Sequence, residues 1–351
     1  MQTRPFTGHD APERQGENMI ASERLAGFIA SPQEQAQSQA RVDAFVARWS
    51  HMPPMVTLER DLRRLQDPEP AAVLELARGF MDHTAELQQL VDEMIAQSQG
   101  DPFFRPPFHP ATSEINVSLL IFHSSLLSIA MGVTGVEMLA AKKAVPNPTG
   151  SVGFTGHLGL FRFLKAGDAE LSLWEAPPIS GSFSAAQAAE CRQVGRRRLR
   201  DGDELVIDGA RESFIIEHAS SDMVYLQAMV RCGAAPLAAE FDHRTRQLVS
   251  VNSTDEVSSR VQMMATLLRS MGRDDAAPLI AEFLSTPHFY TRWYLMRELL
   301  AMDAEFAQPH LQTMALADPH PEVRAAAAQT LRLFFDETIE IQLTGEQQCP
   351  A

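Results

Sequence analysis

Apolar residues along the chain change period twice, and the changes divide it. From about residue 28 to residue 100 they recur every three or four positions, the spacing of one buried helix face. Ser31-Pro32 supplies an N-cap with proline at the first helical position, and Val42, Phe45, Val46 and Trp49 form the stripe of the helix after it. Pro53-Pro54 ends that helix, and a short one spans Val56–Leu65. Asp67-Pro68 opens a longer one, whose stripe runs from Val73 and Leu74 through Phe80, Leu87 and Leu90 to Met94. His83 and Glu86 on this helix form a single H-x-x-E. Helical metal sites need several such motifs, so the pair reads as surface.

From about residue 101 to residue 252 the period shortens. Asp101–Pro110 is a proline-stiffened aromatic connector, read as an extended strap packed on the strand-rich region beside it. Val117–Val133, the most apolar run, is broken at His123-Ser124-Ser125 and reads as two strands joined there. Val136–Ala144 reads as a short helix whose Lys142 and Lys143 complement the helix dipole. Leu158–Leu164 and Ala169–Trp174 read as strands, as do Glu204–Ile207, Ser213–Ile216 and Met223–Val230, divided by Gly/Asp turns. Short strands so divided imply an antiparallel barrel or sandwich. The basic run Arg192, Arg196, Arg197, Arg198 and Arg200 reads as a strand edge blunted by charge, with an anion or acidic-partner site as the alternative.

From about residue 253 the helical period returns, now with a repeat. Arg260, Arg292 and Arg324 lie 32 residues apart, and Thr286-Pro287-His288 matches Asp318-Pro319-His320 at the same offset. Met263, Leu295 and Ala327 align, as do Leu267, Leu299 and Leu331. The unit is two helices, and Asp318–Leu331 (DPHPEVRAAAAQTL) resembles HEAT repeats, in a form more compact than their usual period of about 40–47 residues. One such unit cannot bury its apolar face alone, so an array this short is expected to pack on the barrel or the N-terminal helices. The repeated arginine is expected to bridge to carboxylates or carbonyls of the neighbouring repeat. The alternative makes Arg260, Arg292 and Arg324 a protein-binding face, and HEAT repeats imply a protein partner.

Gly202–Glu217 (GDELVIDGARESFIIE) is the stretch with chemical content. Its spacing resembles the second motif of the cupin family, with Gly202 at the first glycine, Asp208 at the proline, Ala210 at the second glycine, Ser213 at the histidine and Glu217 at the asparagine. The first motif would run from Gly167 to Leu173-Trp174-Glu175, where two histidines belong. The resemblance implies a jelly-roll barrel and, in its metal-binding members, three histidines and a glutamate. The matching positions here hold no histidine, so no metal and no cofactor is expected. His157, Arg162, Trp174, Glu175, Ser213 and Glu217 are candidates to line a ligand pocket in the barrel mouth.

The fold expected is therefore α+β and multidomain: a mobile arm (1–27), an N-terminal helical region (28–100), a central antiparallel β jelly-roll, cupin-like barrel (101–252), C-terminal α-helical HEAT-like repeats (253–336) and a tail (337–351). A formal charge of −15 and a pI near 5.2 argue against nucleic acid and anionic membrane as partners, since phosphate contacts need clustered Lys and Arg. Three distant cysteines, Cys191, Cys232 and Cys349, suit a reducing cytoplasm and give no disulfide framework. No apolar leader opens the chain, and no nucleophile, phosphate-loop or dinucleotide motif stands in it. The expected function is a non-catalytic binding or scaffold protein taking a small ligand or peptide in the barrel and a protein on the repeats, with a homodimer compatible. The alternatives are a cupin-type metal-dependent oxygenase or isomerase using His157, His218 or His123 as displaced ligands, and a ligand-responsive regulatory sensor.

Overall fold

The structure is a computed structural model that describes residues 23–144, 150–179 and 189–335. The C-terminal tail and most of the expected N-terminal arm fall outside those residues. The last part of the arm is helical over residues 23–30 (α1). α2 (Pro32–Ser50) comes next, with Ser31 Oγ accepting from Glu34 N at 3.3 Å as the N-cap. α3 spans Pro53–Arg64, so Pro53-Pro54 starts this helix as well as ending the last one. Proline is tolerated there because a first-turn N–H has no intrahelical acceptor.

The longer helix expected after Asp67-Pro68 is two, α4 (Pro70–Met81) and α5 (Thr84–Gly100). The chain leaves the helix at Asp82-His83, and Asp82 meets Arg162 of the barrel at 2.6 Å. His83 and Glu86 form a surface pair at 3.3 Å.

Twelve strands are described: β1 (His109–Thr112), β2 (Asn116–His123), β3 (Leu127–Thr134), β4 (Ser151–Phe154), β5 (Leu158–Lys165), β6 (Glu170–Glu175), β7 (Arg192–Arg198), β8 (Glu204–Asp208), β9 (Glu212–His218), β10 (Met223–Val230), β11 (Leu237–Asp242) and β12 (Leu248–Ser253), with α6 (Val136–Ala144) after β3. All the pairings are antiparallel. One sheet runs β1-β2-β3-β10-β5-β8, and two further sheets run β12-β11-β4 and β7-β6-β9. The last two meet where β4 lies beside β9, joined by Ser213 Oγ donating to Gly153 O at 2.5 Å. Setting aside the outermost strands leaves β3-β10-β5-β8 facing β4-β9-β6-β7. That is the strand order of a jelly roll, two interlocked Greek keys.

Three apolar layers hold these parts. α2–α5 cover the outer face of the first sheet, where Leu160, Leu226 and Ala228 are buried with Phe45, Leu74, Ala77 and Phe80. The aromatic connector packs into the same layer, with Phe104 and Phe108 edge-on to Phe45 at 5.6 and 5.9 Å. Between the sheets, Phe161, Phe163, Phe214 and Tyr225 fill the barrel with Leu171, Leu205, Ile207 and Met223. Beneath β11 and β4, Val152, Phe154 and Phe241 are buried with Trp174.

The C-terminal helices are α7 (Glu256–Ser270), α8 (Ala277–Glu282), α9 (Phe289–Met302), α10 (Ala304–Ala317) and α11 (Pro321–Phe334). α8–α9 and α10–α11 form hairpin pairs, whereas α7 continues directly from β12 through the N-cap Asp255, which accepts from Ser258 N at 2.7 Å. The array packs on the barrel, as its shortness required. Phe289 and Tyr290 lie against the layer under β11 and β12, and the Tyr290 hydroxyl bonds Ser253 Oγ at 3.0 Å and donates to Pro236 O at 3.3 Å.

Candidate functional site

The barrel candidates do not converge. β6 and β9 pair with Leu171 opposite Ile216, Leu173 opposite Phe214 and Trp174 opposite Ser213. Directly opposed residues share a face, and Phe214 sits edge-on to Phe161 of the facing sheet at 5.1 Å. The inward face therefore carries Leu171, Leu173, Phe214 and Ile216. Ser172, Trp174, Ser213 and Glu217 lie on the outward face. There Trp174 Nε1 donates to Ser172 Oγ at 2.9 Å, and Ser172 Oγ donates to Glu217 Oε1 at 2.6 Å. Burial alone would raise the Glu217 carboxyl, but the donors from Ser172 and Lys143 outweigh it and hold it below its ordinary range.

Arg162 also points away from the interior. It pairs with Asp82 and Glu204, and Glu204 takes a second arginine, Arg78 of α4, at 3.0 Å. This three-way contact fixes the helical layer to the sheet. His157 closes the turn before β5, its Nδ1 donating to Thr155 O at 2.8 Å. Burial lowers its pKa, and Arg231 acts in the same direction. Glu175 alone of the six stays on the inward side, at the strand end, paired with Arg192 at 2.8 Å. It lines a cleft of about 480 Å³ with Arg192, Arg211, Glu190 and Glu212.

A cupin metal would need histidines and a carboxylate aimed at one point. Leu173 holds one of those positions, Ser213 and Glu217 point outward, and Glu175 is engaged by Arg192. Among the described residues no three His, Cys, Asp or Glu side chains are grouped to hold a metal ion, so His123, His157 and His218 form no displaced ligand set. These residues do not fit the metal that the resemblance brings with it.

Arg192–Arg198 of the basic run form β7, which among the described strands pairs with β6 alone and is an edge strand there. Arg192 pairs with Glu175 and Arg196 with Glu170, each at 2.8 Å, and Arg198 with Asp168. The run is thus a ladder of exposed ion pairs along a strand edge.

In the repeats the three arginines, equivalent in sequence, have different surroundings. Arg292 is buried and bonds both carboxylate oxygens of Asp318, Nε at 2.8 Å and Nη2 at 2.7 Å, while Nη1 donates to Thr286 O and Pro287 O. Arg324 donates to Asp318 O and Pro319 O, the same turn carbonyls one repeat on. Arg260 lies on the surface and pairs with Glu256 at 3.3 Å. The difference comes from the turn residue one repeat ahead, Asp318 for Arg292 but Thr286 for Arg260. The turn Thr286-Pro287-His288 stands between two clefts. One of about 430 Å³ is lined by Ser285, Pro287, Arg292, His310, Thr313 and Asp318, and one of about 340 Å³ by Asp255, Val261, Phe283 and Thr291. The expected bridge from the arginine to a carboxylate and carbonyls is present at Arg292; what the sequence did not single out is Asp318 as the partner, whose one signal was the Asp-Pro at the start of the last repeat.

With the geometry in place, the comparisons divide as the fold does. A family model for HEAT repeats matches residues 248–332, which makes this array a HEAT array. No curated protein sequence is significantly similar to the chain. Solved structures similar to it include a cupin domain from Bordetella pertussis, 12% identical over 36% of this chain and 95% of that one, with a TM-score of 0.19. A sugar phosphate isomerase of a cupin superfamily from Silicibacter pomeroyi is 9% identical over 40% and 78%, with a TM-score of 0.22. The ectoine synthase from P. lautus is 9% identical over 35% and 68%, with a TM-score of 0.20. The jelly-roll assignment rests on the strand order. No helix of the described residues is long and apolar enough to cross a membrane.

Proposed function

We propose that this chain is a non-catalytic interaction protein, in which the jelly roll is a packed platform and the HEAT array carries the binding of a protein partner. The observation that carries this reading is the occupancy of the barrel's inward positions. Leu173 stands where the cupin resemblance needs a ligand, beside Phe214 on the inward face, and Ser213, Trp174 and Glu217 face outward, Ser213 and Trp174 into structural hydrogen bonds and Glu217 onto Ser172. Binding capacity lies instead in the array. The turn Thr286-Pro287-His288 is bracketed by two clefts, rigidly backed by the buried Arg292–Asp318 pair. Their rims, Ser285, Thr286 and Thr313 with the carboxylates Asp255 and Glu282 at the second cleft, suit a peptide segment or loop of a partner more than a polyanion.

Two measurements test this. Cross-linking coupled to mass spectrometry is expected to join a partner to the 286–288 turn, with capture lost in Thr313→Arg and kept in the barrel variant Ser213→Ala. Metal analysis of the purified chain is expected to find no stoichiometric transition metal. Bound iron that disappears on His157→Ala would replace this reading with the enzymatic one. A ligand-responsive role has one favouring observation, the cleft at Glu175 with Arg192 and Arg211. It predicts metabolite-induced thermal stabilisation that Arg211→Ala removes.

A further inference from the structure

The two clefts that bracket the turn Thr286-Pro287-His288 differ in charge. In the larger one the Arg292 guanidinium is bonded to both oxygens of Asp318, so neither charge of the pair is left over. The smaller one carries two carboxylates, Asp255 and Glu282, and no lysine or arginine among the described residues that line it. Asp255 accepts from Ser258 N at 2.7 Å as the cap of α7, and the bonds from Ser258 hold its carboxyl below its ordinary range. His288 Nε2 stands 4.0 Å from it. Glu282 is exposed and has no ion-pair partner among the described residues. It is also the last residue of α8, the helix end at which a carboxylate is disfavoured. Val257, Val261 and Phe283 line the same cleft, with Val257 and Phe283 exposed at 66% and 44%.

We propose that the partner segment taken at this turn is basic: a stretch of another protein whose lysine or arginine seats at Glu282 and Asp255, with an apolar side chain beside it. The inference rests on the reading of the 286–288 turn as the binding surface. Three observations select the occupant. Glu282 is a carboxylate without a cation, so an incoming ammonium or guanidinium gains a partner and breaks no existing pair. The apolar wall of Val257, Val261 and Phe283 suits the methylene stem of a long basic side chain while its head reaches the carboxylates. The chain itself offers no basic segment among the residues outside the described ones. Residues 336–351 hold four carboxylates and no lysine or arginine, residues 145–149 and 180–188 hold no charge, and residues 1–22 hold two arginines against three carboxylates. A second copy is disfavoured as well, because a formal charge of −15 repels its like.

The test selects random short peptides displayed on phage against the full chain and measures an enriched peptide by fluorescence anisotropy. Enriched sequences are expected to place a lysine or arginine beside an apolar residue. Glu282→Lys is expected to weaken binding by about tenfold and Glu282→Gln by about threefold, as reversal and loss of a rim charge do. Affinity should also fall as salt is raised. Glu305→Lys, at an exposed acid of α10 outside both clefts, changes the net charge equally and is expected to leave binding unchanged. Glu282 is exposed, so an unchanged thermal midpoint separates lost binding from lost folding. The double change Arg4→Glu and Arg14→Glu is expected to have no effect. Tighter peptide binding in that variant would give the cleft to the chain's own first residues and overturn the proposal. Peptides lost in Thr313→Arg but indifferent to Glu282→Lys, or free of lysine and arginine, overturn the basic segment and leave the turn as the binding surface. Peptides indifferent to both changes, or no enrichment at all, overturn the turn itself and this proposal with it.

Discussion

Arg292 and Asp318 meet across a repeat boundary with both side chains buried, 7% and 3% exposed, and with two parallel bonds between fork and carboxylate. The third nitrogen holds the carbonyls of Thr286 and Pro287, so one guanidinium joins α9, the turn before it and the turn before α11. Removing one member of such a pair strands the other without water. Arg292→Met is expected to lower the unfolding free energy by about 3–5 kcal/mol in urea titrations. Arg324→Met, which among the described residues loses its two carbonyl bonds, is expected to lower it by about 1 kcal/mol. Arg260→Met, at an exposed helix pair, should stay within about 0.5 kcal/mol of wild type. Equal effects at all three positions would contradict this asymmetry.

The same pair sets an acid limit. Burial alone would raise the Asp318 carboxyl, but the Arg292 guanidinium and the His320 N–H outweigh it and hold the group below its ordinary range. A carboxyl lowered on folding contributes fully above its unfolded pKa of about 3.9, and that contribution is lost as pH falls through the folded value. Wild type and Asp318→Asn should therefore differ most near neutral pH and converge as the solution is acidified below about pH 4. Urea midpoints measured from pH 7 to pH 3 check this, and a constant gap between the two proteins would refute it.

Inside the barrel, Gly132 lies directly opposite Tyr225, where an added Cβ would stand 2.6 Å from the ring. The ring is held in turn by Asn116 Nδ2, which donates to its hydroxyl at 2.7 Å. Gly132→Ala is expected to cost about 1–3 kcal/mol, as overpacking does in a filled core. Gly195→Ala, on the edge strand with open space around it, is the neutral control. Thermal unfolding of the pair distinguishes a filled barrel from a hollow one, which would tolerate the first change.

How much of this could be read from the chain depends on the range of the interaction. The repeat was legible because its spacing is written in Arg260, Arg292 and Arg324, and the Val136–Ala144 helix and the strands beside it were legible from local turn chemistry. The break at Asp82-His83 was not, and the partner that Asp82 meets there, Arg162, stands 80 residues away in the sequence. The barrel lining failed for a different reason. Motif spacing fixes a strand's register to within a residue, and a slip of one turns every side chain to the other face. On β9 the motif match put Ser213 at the ligand position when Phe214 is the inward residue, whereas on β6 the matched positions Leu173 and Glu175 do face inward. Met263 and Leu267 matched buried positions of later repeats, and nothing local marks that they stay exposed where α7 follows β12 directly, without a helix before it.

The edge strand β7 gives the last prediction. Its outer side has no neighbour among the described strands, so its backbone groups offer a template to another chain. Arg192, Arg196 and Arg198 stand along it at alternate or near-alternate positions, each tied to a carboxylate at or just before β6. Exposed pairs of this kind contribute little to the folded state because water and salt screen them. Their effect falls instead on association, since an incoming strand would have to bury the charges. Replacing the three arginines with threonine, a good strand former without charge, is therefore expected to leave the urea midpoint nearly unchanged. The same variant should aggregate faster, seen as light scattering that rises at temperatures below the unfolding transition. Replacement with lysine, which restores charge without the forked bonds, should suppress that scattering again. If the threonine variant stays as soluble as wild type, the ladder protects no edge, and its arginines need another explanation.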